Sequence, residues 1–323
     1  MRTDKRVLWV LLASIVVAMV FAAGCTTSTS PSGSNAAASA SIASPSGSTP
    51  TANPSVELPL APRPTGANLT MTAIDVGQGD SILLTFPHNE SLLIDGGKEV
   101  EGPTVVAYLH SVGITHLNGV VATHPDSDHI GGLITVLDSV QVDHVYDVGL
   151  PKSSATYATF LQRITQNNIS YTESRAGDNI AIDADTTVFV INPLQPLSAT
   201  QAPDNDHSIV IKVTYQHVSY LLTGDAESSA EARMISMYNC SAYVLKVGHH
   251  GSSAASSAAF LKAVMPHIAV ISVGANNTYG HPAPQALARL AAVKATVYRT
   301  DTQGTIIVTT NGQTVDVRTT RNT

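Results

Sequence analysis

Only two cysteines, Cys25 and Cys240, occur in 323 residues. With Cys25 lying at the end of an N-terminal apolar run, no internal disulfide framework is available. Stability must come from an ordinary hydrophobic core, for which about 250 residues suffice. Cys240, left alone, is expected to be a small core residue. Positive charge is also scarce. Seventeen Lys and Arg against 24 Asp and Glu give a net charge of -7. A long basic groove for nucleic acid is therefore not indicated. Bound metal ions could supply positive charge locally, so chemistry on phosphates stays open. No repeat at solenoid periods is present, which excludes an array architecture.

One long apolar run stands at the N-terminus. Residues 1–6 are basic, Val7 to Ala23 is almost unbroken apolar sequence, and Gly24-Cys25 closes it. This pattern predicts an export signal over residues 1–25. Ala22-Ala23-Gly24-Cys25 resembles a lipoprotein cleavage box with Cys25 as the lipidated residue. An uncleaved anchor is the alternative, since roughly 17–25 apolar residues span a bilayer. Either way the rest of the chain is expected outside the cytoplasm, attached to the membrane. Residues 26–68 are Ser, Thr, Ala, Pro and Gly with almost no charge. Such a segment cannot bury enough apolar surface to offset its ordering entropy, and it is read as a disordered linker. Residues 69–323 then form the folded domain.

The densest chemistry lies in Thr123-His124-Pro125-Asp126-Ser127-Asp128-His129. Four metal-type ligands, His124, Asp126, Asp128 and His129, fall within six residues. The motif follows the apolar run 119–122, a short buried strand, and precedes the apolar segment from Ile130, a helix start. Ligands on a strand-to-helix loop can converge because the loop curls while its flanks stay rigid. Imidazole with carboxylate suits Zn²⁺, Mn²⁺ or Fe²⁺ better than an ion that takes oxygen ligands alone. Further polar residues sit at strand ends: Asp225 after 220–224, His249 and His250 after 244–248, and Asp206-His207-Ser208 before 209–214. Together with the first motif they point to a hydrolytic site holding two metals.

The texture from Leu69 onward predicts strands near 70–76, 80–86, 91–95, 119–123, 143–148, 186–192, 208–216, 218–223, 242–247, 268–273, 295–299, 304–309 and 313–318. Helices are predicted near 101–112, 130–139, 154–167, 226–238, 255–264 and 283–293. Periodicity by itself says only mixed α and β.

The order of motifs resembles the metallo-β-lactamase superfamily. More narrowly it is similar to the C-terminal hydrolase domain of the DNA-internalisation competence proteins. The residues that carry the likeness are Asp75-Val76-Gly77-Gln78-Gly79-Asp80, Leu93-Ile94-Asp95-Gly96-Gly97, His124 to Gly132, Leu222-Thr223-Gly224-Asp225, Lys246 to Ser252, and Ser272 to Asn277 running on to Tyr279-Gly280-His281-Pro282. The likeness covers about residues 70 to 310. It implies an α/β fold, a four-layer αββα sandwich with the motifs along one sheet edge. Those competence proteins also carry a long multi-helix membrane channel that this sequence lacks, so only the hydrolase domain carries over.

Residue by residue, the resemblance implies that His124 and Asp126 hold one metal. Asp128 and His129 hold the other, completed by His249, and Asp225 bridges both. His207 is the candidate by chemistry for the third ligand of the first metal, although the family pattern matches Asn205 and Ser208 instead. Asp95 is expected to fix a ligand or the motif loop. Asn205, Lys246 and His250 are expected to support ligands or meet substrate. Asp128 and His281 are the expected catalytic groups, with His281 contacting substrate and donating a proton. Two Zn²⁺ are the expected ions, with Mn²⁺ possible because the extra carboxylate makes the site harder.

The leading expectation is a phosphodiesterase or nuclease acting on DNA. The alternatives are a phosphoesterase for a cell-surface polymer or phosphocholine-like group, and a non-catalytic surface module that binds metal or DNA. β-Lactam hydrolysis fits less well, because Asp126 departs from the pattern of those enzymes. The complete ligand set argues against a module that has lost turnover. The membrane, through the N-terminus, is the other expected partner, and no feature points to a protein partner.

Overall fold

Apolar runs such as Ser91–Ile94 and Gly119–Ala122 are buried at every position, as strands covered on both faces must be. The pleat divides their side chains between two packing surfaces. Leu92 and Ile94 enter one core and Leu93 the next; Val121 and Val120 divide in the same way. The computed structural model describes residues 68–195 and 204–321. The expected anchor (1–25) and all but the last residue of the expected linker (26–68) lie outside the described residues.

The middle core lies between two sheets. The first sheet has eight strands in the spatial order Val315–Thr319, Ile306–Thr310, Leu69–Ala73, Ile82–Thr85, Ser91–Ile94, Gly119–Ala122, His144–Asp147, Ser170–Glu173. The second has six, in the order Thr296–Arg299, Ile268–Ile271, Val244–Lys246, Val218–Leu222, Val210–Tyr215, Thr186–Asn192. Met71, Leu84 and Val308 of the first share a cluster with Val190, Ile211 and Tyr220 of the second. On the outer face of the first sheet, Leu93 and Val120 meet Leu109 of helix Gly102–Ser111, Leu133 of helix Ser127–Ser139 and Phe160 of helix Ala155–Gln166. On the outer face of the second, Leu221 and Leu245 meet Met234 of helix Ser228–Met237, Phe260 of Ala258–Val264 and Leu290 of Pro284–Ala292. The layers are therefore helix, sheet, sheet, helix, the αββα sandwich. Cys240 is a free, buried member of the third core.

Parallel pairing aims the site. Ser91–Ile94, Gly119–Ala122 and His144–Asp147 run parallel, as do Val218–Leu222, Val244–Lys246 and Ile268–Ile271. Within each set the C-terminal ends share one edge, so Asp95 and His124 leave the first sheet together, and Asp225 and His249 leave the second together.

Some elements differ from expectation. The helix after the first motif begins at Ser127, not near 130. Its apolar stripe starts only at Ile130, so periodicity places the start late. Asp128 occupies the first turn, where a carboxylate suits the helix dipole. Strand Ser170–Glu173 is exposed at all four positions and carries no apolar alternation to reveal it. A 3₁₀ turn, Asp204–His207, precedes Val210–Tyr215, where the strand was expected from 208. Among the described residues, no helix is long and apolar enough to cross a membrane.

Candidate metal centre

The Asp225 carboxylate is the hub of the site. Its Oδ2 lies 3.3 Å from His129 Nε2, 3.6 Å from His250 Nε2, 3.7 Å from His249 Nε2 and 3.9 Å from His124 Nε2. Four imidazoles face one carboxylate oxygen. The residue follows strand Val218–Leu222 through Gly224, which takes φ +50°, a conformation that glycine adopts without a Cβ penalty. The Asp225 backbone N–H donates to Ser208 Oγ at 3.1 Å, which fixes the turn.

Each imidazole is oriented by its other nitrogen. His129 Nδ1 meets Asp95 Oδ2 at 2.7 Å. Asp95 also accepts from Thr123 N at 2.8 Å and Thr123 Oγ1 at 2.7 Å. It does so from a left-handed backbone, φ +59°, which costs about 1 kcal/mol. His124 Nδ1 lies 3.1 Å from Thr123 Oγ1 and 3.4 Å from Ser208 Oγ. His250 Nδ1 donates to the Ser272 carbonyl at 3.0 Å and lies 3.4 Å from Asp80 Oδ1. His249 Nδ1 meets Glu227 Oε1 at 2.9 Å, with Asn205 Nδ2 3.4 Å from the same ring nitrogen. His249 and His250 both sit at positive φ, +47° and +51°. Backbone strain of this kind collects where side chains must be aimed.

The glycines of the first motifs allow the loops to stack. Gly96 N donates to His129 O at 2.7 Å and Gly132 N to Gly97 O at 2.9 Å. A Cβ on Gly132 would collide with Gly96 O, and one on Gly79 with Asp128 O.

The Nε2 atoms of His124, His129 and His250, and Oδ1 of Asp225, are buried without a hydrogen-bond partner. Orphaned polar atoms at this depth are costly and demand an explanation. They converge: donor atoms of His124, His129 and Asp225 lie within 4.8 Å of one another, as do those of Asp128, His129 and His250. Imidazole nitrogen with carboxylate oxygen is a donor set for divalent transition ions. These residues suit a divalent metal centre.

The electrostatics agree. Burial alone would raise Asp225, but His250, then His129 and His124, hold it well below the carboxylate range. Burial alone would lower His250, yet Asp225, Asp80 and Asp128 push it up to about 9. His129 is raised for like reasons, with Asp225 and Asp95 outweighing burial. Asp128 is lowered, its burial outweighed by His250 and His129. Asp126 is lowered by its hydrogen bond to His124 and by Lys152, which pairs with it directly.

Some expected residues sit elsewhere than their expected parts. His250, not His249, joins Asp128 and His129, its Nε2 being 3.6 Å from Asp128 Oδ2. His249 still faces Asp225 from a more open position. Lys246 is fully buried, its Nζ 2.7 Å from Asp80 Oδ2 and donating to Val247 O. It supports His250 through Asp80 rather than meeting solvent. His207 belongs to no donor group among the described residues. Ser208, one residue on, touches His124 and holds Asp225 N. His281 closes the site, its ring 5.4 Å from His249 and 6.5 Å from His250, with Nδ1 buried and unpartnered. Burial, then His249 and His250, lower its pKa. Asp80 and Glu227 received no role from the sequence, although Asp80 ends the 75–80 motif and Glu227 lies two residues beyond Asp225.

Two packed sheets that deliver imidazoles and carboxylates to one edge form the metal-binding frame of a metal-dependent hydrolase fold. The family agrees. Residues 74–275 match the metallo-beta-lactamase superfamily, and the chain belongs to it. ComE operon protein 3 of Bacillus subtilis (strain 168) is 33% identical over 254 residues, 72% of this chain and 32% of that protein. Competence protein ComA of Neisseria gonorrhoeae is 31% identical over 241 residues, 73% of this chain and 31% of that protein. The chain thus spans about a third of the length of these curated relatives. Among solved structures, Igni18, a metallo hydrolase from Ignicoccus hospitalis, superposes with a TM-score of 0.47 at 13% identity, over 74% of this chain and 98% of that one.

Proposed function

We propose that this protein is a dinuclear metal-dependent phosphodiesterase acting on DNA. We further propose that residues 1–25 hold it at the membrane with the catalytic domain outside the cytoplasm. The observation that carries the first reading is the Asp225 hub, a single carboxylate oxygen faced by four imidazoles. His124 and Asp126 would hold one ion and Asp128, His129 and His250 the other, with Asp225 available to both. The chemistry that a pair of divalent ions supplies when bound is activation of a water and stabilisation of both oxygens of an in-line displacement. Asp95, Thr123 and Asp80 keep the imidazoles aimed. His281 stands outside the ligand set, where its neutral imidazole can donate a hydrogen bond to the leaving oxygen. The names of the competence relatives support DNA as the substrate.

The experiment is a substrate panel with and without chelator: bis(p-nitrophenyl) phosphate, single-stranded and duplex DNA, a phosphomonoester, phosphocholine and a β-lactam, each with Zn²⁺ or Mn²⁺. Phosphodiester cleavage that chelator abolishes is expected. Two bound metals with no phosphodiester cleavage under any ion would overturn the reading. For location, the chain should fractionate with membranes, and Cys25→Ser should block lipid attachment. Full-length protein in the cytosol would sink that part, and a Cys25→Ser chain still held by an intact N-terminus would favour the uncleaved anchor.

A further inference from the structure

The row of rings does not stop at His281. Tyr279 stacks on it, ring centroids 5.8 Å apart and planes at 26°. Its side chain is nonetheless held out in solvent, with the residue 63% exposed. The loop that presents it is tied to itself. Asn277 Oδ1 accepts from Tyr279 N and His281 N, both at 3.1 Å. Asn277 Nδ2 donates to Gly274 O at 3.0 Å and His281 O at 2.6 Å. An aromatic face kept in water by a fixed loop has its ordering cost met before any ligand arrives.

Beside Tyr279 runs a cleft of about 500 Å³. Gly77 and Gln78 line one side, Gly274 and Asn276 the other, with Lys98 and Arg321 also in its wall. Gly274 N donates to Gln78 Oε1 at 3.2 Å and pins the two loops together. Gln78 precedes Asp80 by two residues, and Tyr279 precedes His281 by two. Tyr279 is the wall residue that links this cleft to the centre, through its ring contact with His281. A second, smaller hollow of about 280 Å³ lies on the Asp126 side, lined by Lys152 and Ser154 and without an aromatic. This hollow is walled by Asp126 and Asp128 themselves, whereas the larger cleft offers an aromatic.

We propose that the larger cleft is a nucleoside subsite in which Tyr279 stacks on the base flanking the scissile phosphate. The inference rests on the phosphodiesterase reading of the same centre and assigns the residue that grips the substrate's base. A continuous line of rings leads from the centre to the cleft, His250 to His281 at 6.5 Å and His281 to Tyr279 at 5.8 Å. Stacking accepts any base, because every base has a π face, and tyrosine is rigid enough to stack at low entropy cost.

The test uses the full chain and two substrates, thymidylyl-thymidine and its analogue with abasic tetrahydrofuran residues in place of both nucleosides. The readout is the ratio of kcat/KM between them. The wild type should prefer the base-bearing diester by about 10- to 100-fold, the size of one stacking contact. That ratio should collapse toward unity in Tyr279→Ala and survive in Tyr279→Phe. A Tyr279→Ala chain that keeps the wild-type ratio, or a wild type with no preference, overturns the subsite. Should neither diester be cleaved while two metals are bound, the function reading falls. The subsite is then judged by fluorescence anisotropy with an oligothymidylate and an abasic oligomer of equal length. Weaker oligothymidylate binding in Tyr279→Ala, with Tyr279→Phe retaining it, supports the subsite. Equal binding, or none by the wild type, overturns it.

Discussion

The two sheets build their halves of the site differently. The first sheet delivers His124, Asp126, Asp128 and His129 from one continuous stretch, on a strand end and the first turn of a helix. Its brace stays within the same sheet, since one carboxylate, Asp95, fixes both Thr123 and His129. The second sheet delivers Asp225, His249 with His250, and His281 from three separate loops. Its brace comes from across the fold. Asp80, on a loop following the first sheet's strand Leu69–Ala73, reaches Lys246 and His250 of the second. Ligands close in sequence are held by one carboxylate and by backbone bonds from the neighbouring loops. Ligands scattered along the chain are held by a buried ion pair, and that half should be the easier to disable from a distance.

The largest effect tests what joins the halves. Asp225→Asn should lower kcat by about 10³-fold or more, as loss of a central charge-stabilising group does, and should reduce occupancy of both metals by elemental analysis. Two retained metals with a normal rate would remove the bridging role. Next comes the choice between the paired histidines. His250→Ala should weaken metal binding on the Asp128 side by more than about 100-fold, beyond the loss from a supporting partner, and His249→Ala by about 10-fold. The reverse order would restore His249 as the ligand.

Asp80 tests the long-range brace. Asp80→Asn leaves Lys246 buried without its counter-charge, which should cost about 3–5 kcal/mol in denaturant unfolding. Metal affinity should fall about 10- to 100-fold on the His250 side and little on the His124 side. The double variant Asp80→Asn with Lys246→Met should recover part of the stability, because no unpaired charge remains. Equal loss of affinity at both centres would show that the halves are braced together.

The same contrast explains what the sequence revealed. The first half was legible because its four ligands fall within six residues between an apolar strand and an apolar helix. The layers followed from the family resemblance, since strands buried on both faces look alike whichever core they enter. The second half was legible as strand ends but not as geometry. Choosing between His249 and His250 depends on two successive left-handed residues, which no side-chain pattern announces. Asp80 lies in a conspicuous loop, but its role depends on a partner 166 residues away at Lys246. Strand Ser170–Glu173 was invisible because it buries nothing.

The smallest effect separates His207 from Ser208. Adjacent residues at the end of a 3₁₀ turn point about a third of a turn apart, so spacing cannot say which one faces the centre. The structure turns Ser208 toward it, with its hydroxyl accepting from Asp225 N at 3.1 Å and lying 3.4 Å from His124 Nδ1. As an orienting group it should matter modestly. Ser208→Ala should lower stability by about 1 kcal/mol, the net worth of one hydrogen bond, and weaken metal binding less than Asp80→Asn does. His207→Ala should leave metal stoichiometry at two. A Ser208→Ala loss as large as that of His250→Ala would make the hydroxyl a ligand in its own right. Loss of one metal in His207→Ala would return that histidine to the first centre.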